Sequence, residues 1–254
     1  MSRRRDHGVA AVGDGDRLMG YVIMVPGLAV QGYLRPSAAR LRAEGHEVDL
    51  LPPIGWPESG TDLDGYAARI VRHAERHGPV DLLIGLSVGT QAATLAAAGT
   101  GAVRRLLLIS PTIDPARRST AAALRAWSRG EQHPDSPRLS VQAHDWVRAG
   151  PTGIYRGLQS VIMMRLEEEL PRAADPGRPV TVVHGEADQL SPLPFALDVA
   201  GRAGARMLII PDAPHSWPIG DGDRFAALVS DLIMEPGYGR MPAREDVTSA
   251  DRGR

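Results

Sequence analysis

Six short, mostly apolar runs punctuate residues 19–235: Tyr21–Val25, Glu47–Leu51, Val80–Ile84, Leu106–Ile109, Val180–Val183 and Met207–Ile210. A strand covered on one face alternates apolar and polar positions, whereas runs this continuous are expected of strands covered on both faces. Between them, apolar residues recur at helical spacing over about 33–44, 62–77, 88–98, 194–203 and 222–234. Strand and helix repeated in this order predict an α/β fold, a mostly parallel central sheet with right-handed crossovers that put helices on both faces.

One interval breaks the rhythm. From Pro111 to Pro179 no strand-like run occurs, but three helical stretches do, over 120–129, 140–148 and 153–170. A connection of that length is too long for an ordinary loop, and it is read as a helical cap or lid inserted at 111–179 into a core made of 19–110 and 180–235. The polar, Gly- and Asp-rich segment 1–18 and the segment 236–254 read as flexible tails.

Composition then narrows the chemistry. The 254 residues include no cysteine, and all 29 basic residues are arginine. Disulfides, thiolate nucleophiles and Cys-ligated metals are therefore excluded, as are lysine Schiff bases and a P-loop lysine. Covalent chemistry, if used, must run through Ser, Thr, Asp, Glu, His or Tyr. The net charge is −1, with arginines scattered among acidic residues, so neither nucleic acid nor an anionic membrane is an expected partner. Ser2-Arg3-Arg4-Arg5 is not followed by an apolar signal core, and no run approaches the length of a transmembrane helix. The compartment read from this is the cytoplasm.

Against that background one segment stands out. Gly85-Leu86-Ser87-Val88-Gly89 follows a buried run and precedes an Ala-rich helix, so it has the pattern G-x-S-x-G at a strand-to-helix turn. Such a turn strains the serine backbone and exposes its Oγ, and only very small residues fit two positions to either side. A serine hydroxyl needs a base, and the base an orienting acid. Candidates follow two later strands, in His184-Gly185-Glu186-Ala187-Asp188 and in Pro211-Asp212-Ala213-Pro214-His215.

With G-L-S-V-G at 85–89, H-G-E-A-D-Q-L-S-P at 184–192 and A-P-H-S-W at 213–217, the chain resembles the α/β-hydrolase superfamily over about 20–234. The resemblance implies Ser87 as nucleophile, Asp188 as acid and His215 as general base. It also implies an oxyanion hole built from the backbone amides of Leu28, in Val25-Pro26-Gly27-Leu28, and of Val88. Pro26 stands where family members often carry His, and the N-terminal stretch is short for the family's first antiparallel hairpin.

Other residues compete for these roles. Glu186 ranks second as the acid, Asp114 follows the fourth apolar run where some members place it, and Asp212 is nearer His215 in sequence. His184 reads as a hydrogen-bonded structural residue. His73 and His77 stand at i and i+4, the spacing of a helical metal-binding pair, but their polar surroundings read as a solvated helix face, and no metal is expected. The expected activity is hydrolysis of a small-molecule ester, thioester or related carbonyl compound through an acyl-enzyme, in the manner of an esterase or thioesterase and with no cofactor. A non-hydrolytic enzyme of the same fold, either an acyltransferase or a lyase, is the alternative, and a ligand-binding protein without turnover comes third. The expected partner is a small-molecule substrate, and a homodimer is allowed. Any charged substrate group would have to meet arginine, with Arg125, Arg129, Arg148, Arg156 and Arg165 the candidates in the insertion.

The choice of acid is testable directly. Asp188→Asn is expected to lower kcat for an activated ester by about 10⁴-fold, while Asp114→Asn leaves it near the parent value. A larger defect in Asp114→Asn moves the acid to the earlier strand.

Overall fold

The computed structural model describes residues 19–130, 133, 136, 139–174 and 177–235. The segments 1–18 and 236–254, read above as tails, lie outside the described residues. Among the described residues six strands form one sheet: β1 (Tyr21–Val25), β2 (Glu47–Leu50), β3 (Leu82–Leu86), β4 (Leu106–Ile109), β5 (Val180–Gly185) and β6 (Arg206–Ile210). Their order is β2-β1-β3-β4-β5-β6, and every pairing is parallel. No antiparallel hairpin joins the sheet among the described residues.

Helices α1 (Arg35–Ala43), α2 (Leu63–His77) and α3 (Gly89–Gly99) connect the first four strands. Helices α4 (Thr120–Gly130), α5 (Leu139–Met163) and α6 (Leu166–Ala173) lie between β4 and β5. Beyond β5 come α7 (Leu193–Ala203), a single turn α8 (Trp217–Gly220) and α9 (Gly222–Met234). Alternate residues of the inner strands face two separate cores. Val22, Met24, Ile84 and Leu107 meet Leu41 of α1 and Phe225 and Val229 of α9. Ile23, Leu83, Leu108 and Val182 meet Ile70 of α2, Ala92 and Ala96 of α3 and Val199 of α7. Both faces are thus covered, which is why β1, β3, β4 and β5 are buried along their whole length. No helix among the described residues is long and apolar enough to cross a membrane.

Two local departures from the periodicity have physical causes. The third strand starts two residues later than expected and runs on through Gly85-Leu86, because the Ser87 amide still donates to Ile109 O at 2.9 Å. Sheet pairing therefore carries the chain up to the serine. The stretch expected as one helix over 153–170 is instead the second half of α5 and then α6, separated at Met164-Arg165. A break within α5 lies at Gly150 (φ 65°) before Pro151, where a left-handed residue and a missing amide interrupt the helix. Leu166 and Leu170 of α6 are fully buried in the sheet-covering core, and α6 packs on α3 and α7.

The order of the first three strands sets the position of the site. The chain goes from β1 outward to β2 and returns past β1 to β3, so the loops after β1 and β3 leave in opposite directions and open a crevice between them. Backbones meet there at very short range. A Cβ on Gly89 would stand 2.2 Å from Val25 O and 2.5 Å from Pro26 O, and one on Gly85 would stand 2.6 Å from Gly89 O. Backbone atoms cannot swing aside as a side-chain tip can. Gly89→Ala and Gly85→Ala are each expected to lower the unfolding free energy by about 3 kcal/mol or more, measured by urea denaturation with an unchanged m value.

Candidate active site

Ser87 sits at the tip of the turn between β3 and α3 with φ 52°, a left-handed conformation that a non-glycine residue adopts only when its surroundings enforce it. The flanking glycines and the Ser87 amide bond to β4 supply that enforcement. Its Oγ lies 2.8 Å from His215 Nε2, and His215 Nδ1 lies 2.8 Å from Asp188 Oδ2. Ser87, His215 and Asp188 thus form one hydrogen-bonded chain drawn from the carboxyl ends of β3, β6 and β5. Asp188 is buried, and its other oxygen accepts from the amides of Leu190 (2.9 Å) and Ser191 (2.8 Å). Burial pushes the Asp188 carboxyl up, but the charge and hydrogen bond of His215, with the Ser191 amide and His184, outweigh it and hold it below the usual carboxylate range. Asp188 therefore stays ionised and can orient the imidazole.

The competing acids are engaged elsewhere. Asp114 caps the 3₁₀ turn Pro115–Arg117 through the Ala116 amide and faces Arg117 at 3.7 Å. Glu186 accepts from the Asp212 amide at 3.2 Å, and the Asp212 side chain is itself exposed. His184 departs from the expectation of a hydrogen-bonded structural residue. It is fully buried beneath Asp188, its Nδ1 is 3.8 Å from Asp188 Oδ2, and neither ring nitrogen has a hydrogen-bond partner.

Leu28 and Val88 flank Ser87 in the wall of a cavity of about 340 Å³. The turn that carries Leu28 is held from several sides. The Ala29 amide donates to Ile54 O at 2.9 Å, and Trp56 Nε1 donates to Ala29 O at 3.1 Å. Asp145 of α5 accepts from the amides of Gln31 (2.8 Å) and Gly32 (2.6 Å). The Tyr33 hydroxyl accepts from the Gly27 amide at 3.2 Å, and burial pushes this phenol up to about 12, so it keeps a proton to donate. Asp145, Trp56 and Tyr33 escape a reading of the sequence, because an Asp on an amphipathic helix reads as solvated and a Tyr or Trp in a loop as core.

The segment between β4 and β5 contributes Ala123, Leu124 and Trp127 of α4 and Gln142, Trp146, Ile154 and Leu158 of α5 to the cavity wall. No Asp, Glu or Arg lines it among the described residues. The five arginines raised as candidates are thus not in the cavity wall; Arg148 pairs with Glu58 and lies 4.0 Å over the Trp56 ring, and Arg165 pairs with Glu168.

A model of the Alpha/beta hydrolase family matches residues 22–228. The chain belongs to the alpha/beta hydrolase family. Solved structures similar to this chain include an esterase from Rhodococcus sp. ECU1013, 18% identical, with TM-score 0.65 over 86% of this chain and 92% of that chain. An enol-lactonase from Burkholderia xenovorans LB400 is 17% identical, with TM-score 0.65 over 85% and 92%. A bromoperoxidase from Bacillus anthracis is 15% identical, with TM-score 0.67 over 85% and 92%. At these identities the likeness speaks for the fold. No curated protein matches the chain in sequence.

The buried His184 makes the stability of the chain depend on pH. Burial lowers the His184 imidazole from its ordinary 6.5, Asp188 raises it and His215 lowers it, with a net downward shift. Below about pH 6.5 the unfolded chain binds a proton that the folded chain resists, so stability falls as pH drops, by at most about 1.4 kcal/mol per pH unit from this group. His184→Leu is expected to flatten the slope of unfolding free energy between pH 6.5 and 5, measured by urea titration at each pH. An unchanged slope excludes His184 as its source.

Proposed function

We propose that the chain is a serine hydrolase acting on uncharged, largely apolar esters or thioesters, with Ser87 as nucleophile, His215 as general base and Asp188 as the orienting acid. The observation that carries this reading is the contact between Ser87 Oγ and His215 Nε2, 2.8 Å apart and facing the cavity. His215 takes the Ser87 proton as Oγ attacks the carbonyl carbon. The carbonyl π electrons move to oxygen, where the Leu28 and Val88 amides receive the charge; one such donor is typically worth about 3–4 kcal/mol in the transition state. The intermediate collapses by expelling the alcohol or thiol, which takes its proton from His215. Water then repeats the sequence on the acyl-enzyme and releases the acid.

The wall of the cavity supports the substrate class. An anionic substrate would lose its hydration there and find no arginine among the described residues of the wall, which is a cost of several kcal/mol. An apolar acyl group would meet Trp127, Trp146, Leu158 and Ile154 instead. On this reading α4 and α5 act as the cap, and their apolar undersides define the acyl site.

A fluorophosphonate is expected to add one phosphonyl group at Ser87, located by peptide mass spectrometry, and none to Ser87→Ala. Hydrolysis of p-nitrophenyl esters is expected to gain in kcat/KM from acetate to hexanoate and to fall when the acyl chain ends in a carboxylate. Ser87→Ala removes kcat by on the order of 10⁵–10⁶-fold with an unchanged Tm. An unlabelled Ser87 in folded protein defeats the hydrolase reading. Labelling without turnover of any ester or thioester turns it toward acyl transfer or elimination.

A further inference from the structure

The histidine pair on α2 acquires a third neighbour in the folded chain. His73 and His77 stand one turn apart, with ring centroids 4.5 Å apart, and β2 brings Asp49 to them from 24 residues upstream. Asp49 Oδ2 lies 2.7 Å from His73 Nε2 and 2.7 Å from the Tyr21 hydroxyl, which is itself 3.3 Å from His73 Nε2. One metal-capable atom from each of Asp49, His73 and His77 falls within 4.8 Å of the other two. His73 and Asp49 are partly exposed, with side chains 22% and 35% accessible, and His77 is exposed, so a hydrated ion can reach all three. None of these residues lines the cavity. In the sheet register Asp49 is level with Ile23 and with Leu83, which lies two strands away and four residues before Ser87.

We propose that Asp49, His73 and His77 form a binding site for a divalent transition-metal ion of the zinc, nickel or copper class, clamping α2 to the edge strand β2. Two imidazoles and one carboxylate suit these ions, whereas magnesium and calcium favour all-oxygen sites. Bonds of about 2.0–2.2 Å at tetrahedral angles put neighbouring donor atoms about 3.3 Å apart, so the Asp49–His73 pair opens by roughly half an ångström and His77 closes in. Side-chain torsions at a partly exposed site supply that movement. The ion takes the place of the proton between His73 Nε2 and Asp49, and the neutral imidazole keeps its remaining proton on Nδ1. The Tyr21 hydroxyl, donating to Asp49 Oδ2, then helps to orient the ligating carboxylate. Water fills the fourth position, because the three protein ligands sit on one open side.

The test uses the full chain after treatment with EDTA. Zinc chloride is expected to bind at a 1:1 ratio by calorimetry and to raise the Tm, cobalt(II) to give the visible absorption of a tetrahedral site, and magnesium to do neither. His77→Ala leaves the Tyr21–Asp49–His73 contacts intact, so it is expected to fold as the parent does; its zinc affinity falls by about tenfold or more, as does that of Asp49→Asn. Fluorophosphonate labelling at Ser87 is expected to be the same with and without zinc, which keeps this outcome separate from the hydrolase reading. Absence of binding by the parent overturns the proposal. Equal affinity in His77→Ala also overturns it, since the ion then sits on other histidines.

Discussion

Where β1 and β3 end, two backbones pass with no side chain between them, and the site depends on that approach. The first turn of α3 lies so close to Val25 and Pro26 that a methyl group at Gly89 has nowhere to go. Because the approach is backbone against backbone, it fixes relative positions with little freedom to adjust. It sets the Ser87 turn against the turn that bears Leu28, and it holds Ser87 in a left-handed conformation that the residue would not choose. The sheet core on both sides supplies the stabilisation that offsets this strain, which at a single residue amounts to about 1–3 kcal/mol.

The polar chain behind the serine is arranged for a dry setting. Asp188 is an ionised group with almost no access to water, and it is tolerated because His215 and two amides satisfy it. His184 lies beneath it without a hydrogen bond of its own, fully buried and therefore held in its neutral form. A second acidic side chain, Asp145, crosses from α5 to the turn that follows Leu28 and accepts from two backbone amides. That carboxylate ties α5 to the turn, so two parts of the cavity wall, the one from α5 and the one that bears Leu28, are coupled.

Much of this was legible residue by residue. Continuous apolar runs revealed buried parallel strands because both faces of such a sheet are covered, and G-x-S-x-G was informative because a strand preceded it and an Ala-rich helix followed. Ser87, Asp188 and His215 were singled out by the family resemblance of the motifs that carry them, whereas position after a strand and spacing alone left Asp114, Glu186 and Asp212 open. The division of α5 from α6 was not legible, since the apolar periodicity runs through Met163-Met164-Arg165 without interruption and only packing on α3 and α7 draws Leu166 and Leu170 away. Arg148 was equally ambiguous: nothing local distinguishes an arginine that stacks on Trp56 from one that faces a substrate.

The sequence by itself determined the layered fold, the strained serine turn and the absence of thiol and amine nucleophiles, because each follows from residue type and short-range spacing. The tertiary structure decided which acid meets His215, that the five arginines raised as candidates stand outside the cavity wall, that Asp145 and Trp56 hold the turn beside Leu28, and that Asp49 stands next to His73 and His77. All of these are contacts between segments far apart in the chain. Local propensity carries no information about them, and they arise only when the crossovers of the sheet bring the ends of different strands and helices to the same place.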